Sequence, residues 1–534
     1  MNYADFPTAD LVLTIIVLAV AAVDMWFVYS RDLMMLQQNS YRNERYLRWF
    51  SQSGESTNMG RLGCMISFFL IVLRRVPSIL TYPAVILILI WQIIFLATRK
   101  YKKPLVRTKR VNRIFWTMVG LTAVVVAPCW IFLGMTAAAT VMVALLWISP
   151  MVLLAANTLL APIEKRINRK FYDEATDILR SMPGLKVVGI TGSYGKTSTK
   201  HYLQRILSEQ FSTTMTPGSF NTTLGVIRTV REHLRPYDEV FIVEMGAKQP
   251  GDIKEITDLV HPVAGIITAV GEQHLETFKS IENVQKTKFE LADAIPADGF
   301  VVLNNDFPYV ASRKVDNTKA LRYSVDRKDK SDFYASDIKY SSRGTTFRLH
   351  GPGLEEPLEL KTPLVGECNV SNLIAAVVVA LRLGMSHDKI RYAVSQIEQV
   401  EHRLSIRRIP GGLTIIDDAF NSNPAGSKMA MEVLGMMKDE GRRIVITPGM
   451  IELGDRQKSA NSKFGEYIAA NADVAIVVGA YNREAILEGI KKGKMDSDSV
   501  YAVDTFAEAQ GVLHRVARPG DIVLYENDLP DTFK

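Results

Sequence analysis

Residues 79–98 read ILTYPAVILILIWQIIFLAT, a stretch with no Asp, Glu, Lys or Arg. A run this long and apolar favours a helix. At about 1.5 Å of rise per residue it matches the roughly 30 Å of hydrocarbon in a bilayer, and a helix satisfies its backbone polar groups internally. Residues 11–30 (LVLTIIVLAVAAVDMWFVYS) form a second run, interrupted only by Asp24, and 114–134 and 135–160 form two more. No small-residue cleavage site follows the first run, so it reads as an uncleaved anchor. The stretch 62–73 is also apolar but short, and Arg74 and Arg75 follow it at once. The sequence therefore predicts four spans, or five if 62–76 also crosses, with five preferred. A single acid near the end of a span, Asp24, fits an anchor better than a transport relay.

Basic loops set the expected orientation. The run RKYKKPLVRTKR (99–110), and Lys165, Arg166, Arg169 and Lys170, belong on the cytoplasmic side. The expected location is multi-pass in the cytoplasmic membrane, with everything from about residue 165 facing the cytoplasm. The net charge of +7 is modest, and many of the basic residues flank apolar runs. Lipid headgroups account for them, and no basic stripe interleaved with aromatics points to nucleic acid. Cys64, Cys129 and Cys368 lack metal-binding spacing and read as free thiols.

From about residue 171 the pattern changes to α/β. LKVVGI (185–190) is a β-branched run expected to form a strand, and KTSTKHYLQRILSEQF has helical spacing at Tyr202, Leu203, Ile206 and Leu207. Between them lies GITGSYGKTSTK (189–200). The common G-x-x-x-x-G-K-[ST] phosphate loop would need Gly at 190, where this chain has Ile190. The strand–glycine–helix context is nevertheless that of a phosphate cradle, with Lys196 as a point charge and Thr197 placed for Mg²⁺. VFIVEMGA (240–247) is a buried-strand run that delivers Glu244, a candidate metal carboxylate. AGIITAVGEQHLETF (264–278) delivers His274 into a loop, and NVQKTKFELADAI (283–295) reads as a helix carrying Lys288.

The variant T-G-S-Y-G-K-T-S resembles the phosphate loop of the Mur ligase family, T-G-[ST]-x-G-K-T-[ST]. The resemblance continues in order through VGEQHLETF, GFVVLNNDFPYV (299–310), GECNVSNLIAA (366–376), EHRLSIRRIPGGLTIIDDAFNSNP (401–424) and RRIVITPGMIELG (442–454). It covers about residues 185–525 and is nearest to the family's MurF-type branch, through GSFNTTLGVIRT (218–229), EMGAKQPGDI (244–253) and DDAFNSNP. Departures are Cys368 in place of a His and the loss of an Asp after Gly449.

The apolar runs predict an α-helical transmembrane segment (1–170), and the resemblance implies a P-loop Mur-ligase central ATPase domain (171–405) and a Rossmann-like C-terminal α/β domain (406–534). It implies an ATP-dependent carbon–nitrogen ligase that uses two Mg²⁺ ions. A carboxylate attacks the γ-phosphate of ATP, and an amine then attacks the acyl phosphate. ATP would be held by Thr191, Gly192, Ser193, Gly195, Lys196, Thr197, Ser198, Arg403, Asp418 and Asn421. Metal would be held by Thr197, Glu244, His274 and a carbamylated Lys288. Lys196, Lys288 and His274 are the implied catalytic residues.

The family's usual N-terminal UDP-sugar domain is replaced here by the apolar segment. That suggests a small-molecule or lipid-linked cell-envelope precursor as acceptor, with an amino acid or dipeptide as amine. The family's Lys-Gly-Ser-like motif after GDxVL is replaced by acidic GDIVLYENDLPDTF (520–533). Glu526, Asp528 and Asp531 are thereby candidates for holding an ammonium group, or form a solvated tail. Competing readings are a ligase for a non-muramoyl acceptor, a nucleotide-driven transporter or sensor, and a pseudoenzyme organising envelope synthesis.

Overall fold

The computed structural model describes residues 6–528 except 74–77, 100, 102, 273–274, 326, 342–343, 401–402, 420–421, 438–440 and 452. The chain divides into two compact units, one ending at Asn168 and one beginning at Arg169.

The first unit is helical: Phe6–Gln38, Asn43–Gln52, Met59–Leu73, Ser78–Thr98, Lys109–Pro128, Met135–Trp147 and the start of Ser149–Arg180. Tyr29, Leu33, Val85, Leu89, Ile114 and Val143 fill its centre. Polar groups inside it are mostly paired. Asp32 accepts from Arg61 at 2.7 Å and from Ser149 at 2.5 Å, and Tyr29 and Thr122 share a hydrogen bond at 2.6 Å. Asp24 sits well inside its helix rather than near an end and is fully buried, with neither carboxylate oxygen hydrogen-bonded.

The outward faces are apolar too: Leu87 is 67%, Val124 71% and Phe132 81% exposed. Three helical stretches, Ala9–Gln38, Leu80–Thr98 and Lys109–Leu133, are long and apolar enough to cross a membrane. A fourth is possible if the pair Met135–Trp147 and Ser149–Arg180, bent by 79°, counts as one span. Met59–Leu73 has only 15 residues. At ~1.5 Å per residue these described residues fall short of the ~30 Å hydrocarbon layer, and the last part of the expected crossing at 62–76 lies outside the described residues.

The second unit is α/β. Among its described residues, one sheet is built from β1 (Lys186–Thr191), β2 (Thr213–Met215), β3 (Val240–Glu244), β4 (Ala264–Ile267), β5 (Phe300–Asn304), β6 (Lys319–Ser324), β7 (Phe333–Ser341), β8 (Gly344–His350) and β9 (Leu358–Thr362), in the order β2-β3-β1-β4-β5-β6-β7-β8-β9. It is parallel through β7 and antiparallel from β7 to β9. Successive residues of β1 are buried on opposite faces. Val188 and Ile190 pack with the helix Glu367–Arg382, while Val187 packs with helices Asp252–Val260 and Ile281–Ala294. Burial on both faces explains why the sequence shows continuous apolar runs here rather than alternation. Helix Glu367–Arg382 is buried almost all round, from Asn372 to Ala380 without a break.

The other sheet comprises β10 (Ser405–Arg408), β11 (Thr414–Asp418), β12 (Arg443–Thr447), β13 (Val474–Val478), β14 (Val500–Val503) and β15 (Ile522–Glu526), in the order β10-β11-β15-β12-β13-β14. It is parallel except for β10. The antiparallel extension β7–β9 has no counterpart in the sequence reading.

Candidate active site

β1 ends at Thr191 and the helix Lys196–Leu207 begins at Lys196, so the four residues 192–195 between them form a tight loop at the carboxyl edge of the sheet. Both its glycines are required by space and conformation. Gly192 has φ 152°, and a side chain there would strike Thr268 Oγ1 and the Ala269 nitrogen. Gly195 has φ 78°, and a Cβ would strike the Asn372 amide. Ser193 is tied to the end of β4: its nitrogen donates to Ala269 O at 2.8 Å and its hydroxyl to Gly271 O at 3.0 Å. Thr191 Oγ1 donates to Met245 O at 2.9 Å, joining the loop to the end of β3. Ser198 is buried in the first helical turn.

Lys196 curls back over this loop and donates to Gly192 O at 2.6 Å. Burial lowers its ammonium to about 8; Glu244 opposes the shift and Arg403 adds to it. Thr197 Oγ1 donates to Glu244 Oε1 at 3.2 Å, and Asn221 Nδ2 reaches the same oxygen at 3.1 Å. Lys200, one helical turn beyond Lys196 and fully buried, lies 3.0 Å from Glu244 Oε2 and donates to Gly218 O at 2.7 Å. Its contact with Glu244 is an ion pair set off the direction of a hydrogen bond. Burial opposes ionisation of Glu244, but Lys200, Lys196 and Asn221 outweigh it and hold the carboxyl below its ordinary range.

Lys288 is 2% exposed on the helix Ile281–Ala294. Burial, then Lys196, push its ammonium well below the usual lysine range, while Asp252, Glu290 and Glu244 pull the other way. Burial of this kind favours the neutral amine, the nucleophilic form of lysine.

The second sheet supplies Asp418 at the end of β11, whose Oδ1 accepts from Leu404 N at 3.2 Å. Burial raises its carboxyl to about 6, against the pull of Arg403. Arg403 in turn feels both Asp418 and Glu244, so its charge links the two sheets. Arg456 pairs with Glu272 between the same two parts of the unit.

The structure thus gathers Thr191, Gly192, Ser193, Gly195, Lys196, Thr197, Ser198, Glu244 and Lys288, with Arg403 and Asp418 in electrostatic reach. His274 and Asn421 lie outside the described residues. Lys200 and Asn221 are additions. Their signal was present as KTSTK and GSFNTT, but what they hold depends on where the 216–222 loop folds. The hydroxyl and carboxylate oxygens of Thr197 and Glu244 are hard donors that fit Mg²⁺.

Within the acidic C-terminal stretch, Glu526 departs from both expectations for it. Glu526 is fully buried at the end of β15, where Ser422 and Thr447 donate to its two oxygens, the latter at 2.6 Å. It is neither a solvated tail nor open to a ligand. Asp528 is exposed, and Asp531 lies outside the described residues.

Comparison with known proteins agrees with this geometry. Residues 190–380 match the Mur ligase middle domain and 402–525 the Mur ligase, glutamate ligase domain. The UDP-N-acetylmuramoyl-tripeptide–D-alanyl-D-alanine ligase of Mycobacterium tuberculosis (strain ATCC 25618 / H37Rv) is 32% identical over 363 residues, covering 64% of this chain and 70% of that protein. The enzyme of the same name from Bacillus subtilis (strain 168) is 27% identical over 350 residues, covering 64% and 73%. Among solved structures, MurF from Acinetobacter baumannii superimposes with a TM-score of 0.60 at 27% identity, over 67% of this chain and 76% of that one. MurF ligase from Thermotoga maritima in complex with ADP gives 0.60 at 24% identity, over 67% and 80%, a likeness of fold.

Proposed function

This chain belongs to the Mur ligase family, is of its MurF type and is an ATP-dependent amide ligase, and from that premise we propose a membrane-anchored enzyme that forms a peptide bond on a cell-wall peptide precursor through an acyl phosphate. The observation that carries the reading is the convergence of Lys196, Thr197, Glu244 and the buried Lys288 on one glycine loop.

In this reading the loop 192–195 and the start of the helix Lys196–Leu207 cradle the phosphates of ATP through backbone N–H groups. Lys196 leaves Gly192 O and swings to the β- and γ-phosphates. Arg403 and Asp418 take the nucleotide side, with Asn421. Thr197 and Glu244 would hold one Mg²⁺, and His274 with a carbamylated Lys288 a second; bound there, the metal neutralises phosphate charge. The acceptor carboxylate attacks the γ-phosphorus and ADP leaves. The amine then attacks the acyl carbon, phosphate leaves with the carbonyl–oxygen bond's electrons, and the amine gives up a proton. Positioning and charge screening supply most of the acceleration. The three-part division at 170 and 405 is retained as part of the proposal.

The relatives named above act, by their names, on a UDP-N-acetylmuramoyl tripeptide and D-alanyl-D-alanine, and we assign this chain a similar pair of substrates. A second reading, a lipid-linked acceptor, draws support from the helical unit in place of a UDP-sugar domain. The apolar outward faces of that unit support a multi-pass anchor in the cytoplasmic membrane, with the ligase part in the cytoplasm.

One assay tests both. Full-length protein receives ATP, Mg²⁺, a UDP-muramoyl tripeptide or its lipid-linked form, and D-alanyl-D-alanine or single amino acids. Phosphate release is expected only when acceptor and amine are both present, and Lys196→Ala is expected to abolish it. ATP turnover indifferent to both substrates would overturn the ligase reading.

A further inference from the structure

Most cations described in the helical unit are already committed. Arg61 pairs with Asp32 and Arg31 with Glu55. Arg107 donates to Ser30 and lies over the Trp26 ring, and Arg110 stacks on Tyr41 at 4.1 Å. The start of helix Lys109–Pro128 is different. The side chains of Lys109 and Asn112 make no hydrogen bond or ion pair among the described residues, and Arg113 uses Nε alone, on Glu164 at 2.7 Å. These three share one helical stripe with Trp116 and Thr117. Together with Leu160 of the facing helix they line a groove of about 580 Å³.

The groove has two chemistries in sequence. Its first turn offers the unused donors of an ammonium, an amide and the outer nitrogens of a guanidinium whose Nε holds Glu164. Roughly 5–10 Å further along the axis, at ~1.5 Å per residue, it is lined by Trp116, 64% exposed, and by half-buried Leu160. Donors of this kind match the several charged oxygens of a phosphate, and the positive end of the helix adds to them. The apolar stretch beyond has no use for a free anion but suits an alkyl chain.

We infer that this groove seats an anionic membrane lipid, its phosphate held by Lys109, Asn112 and Arg113 and its chain lying along Trp116 and Leu160. The inference rests on the reading that these helices lie in a bilayer. A lipid so held sits on the side of the membrane assigned to the ligase part.

The test titrates detergent-purified full-length protein with phosphatidic acid, phosphatidylcholine and inorganic phosphate, reading bound lipid by native mass spectrometry. Phosphatidic acid is expected to bind at least about tenfold more tightly than phosphatidylcholine. Lys109→Gln with Arg113→Gln should weaken it by about tenfold or more. Lys165→Gln with Arg166→Gln, an equal change of charge off the groove, should change it less than about twofold. Trp116→Ala should weaken lipid binding while all these variants keep the wild-type melting temperature to within a few degrees. Equal losses in the two double variants would reduce the site to diffuse surface charge. Competition by inorganic phosphate at the same concentration as lipid would make it a free-anion site. Either overturns the inference. Carbonate extraction of the same variants tests membrane residence separately: release from membranes would sink the bilayer reading, whatever the titration shows.

Discussion

At the scale of single residues, the site works by burying charges that oppose one another. Lys288 is the sharpest case, because an ammonium 2% exposed near Lys196 is strongly disfavoured. If it reacts with CO₂, the cation becomes a carboxylate and the repulsion becomes attraction for metal. Lys288→Ala is therefore expected to cost at least about a hundredfold in turnover, and short-chain carboxylates should restore part of it. Full activity in that variant would sink the carbamate. Glu526 gives a second test. Burial raises its carboxyl from 4.5 to about 7, with the Ser422 and Thr447 hydroxyls opposing the shift and Asp418 adding to it. A raised folded value means the native state binds the proton more tightly. Its stability contribution is then present below about 4.5 and is lost as pH climbs through 7. Glu526→Gln cannot titrate, and one hydroxyl can go on donating to its amide oxygen while the other turns to accept from its amide nitrogen. It should be more stable than the parent at pH 8, by roughly 1–3 kcal/mol, and no more stable at pH 5. Thermal melts at the two pH values decide it. Lys196, Thr197, Glu244 and Lys288 were legible because each sits in a motif or at a strand end. Lys200 and Asn221 were not, since both act through a loop whose path no local pattern gives. Glu526 was misjudged because an acid near a chain end reads as solvated until its hydroxyl partners, 104 and 79 residues away, are seen.

At the scale of elements, the phosphate loop and the helix after it divide their work between conformation and packing. Gly195 must hold φ 78° beside Asn372, so its replacement disturbs the loop itself. Tyr202, on the same helix, donates to Asn369 Oδ1 at 2.7 Å in the buried seam with helix Glu367–Arg382. The two changes are expected to separate. Gly195→Ala should weaken ATP binding, read as a raised KM or lost nucleotide affinity, by about tenfold or more. Tyr202→Phe should cost roughly 1–3 kcal/mol of stability, by leaving Asn369 short of a donor, and hardly alter KM. The reverse pattern would mean that the glycine is tolerated and the seam is part of the site. β1, β3 and β4 were legible from short β-branched runs, because burial on both faces makes such runs unavoidable, whereas short parallel strands such as β2 and β14 left no such run. β7–β9 were missed for the opposite reason. β9 alternates buried and exposed residues along LELKT, and so short an alternation with charges in it does not stand out from a loop.

At the scale of the whole molecule, the helical unit and the α/β unit obey different rules of surface. In the α/β unit apolar side chains turn inward on both sides of each sheet. In the apolar windows of the three long helices at most 28% of residues are buried, and large apolar side chains such as Leu87, Val124 and Phe132 face outward. Exposed apolar area on this scale requires a bilayer or a protein partner, at about 25 cal/mol for each Å² withdrawn from water. A bilayer is the simpler cover, because 99–110 is basic and three stretches have spanning length. Membranes from expressing cells should then keep the full chain through an alkaline carbonate wash and release it to detergent. Protease added to inverted vesicles should remove the part after residue 180, whereas intact spheroplasts should protect it. Release by carbonate would mean that other subunits cover the helices, and cleavage in spheroplasts would place the ligase part on the far side. That second outcome would be incompatible with a supply of ATP, and so with the reaction itself.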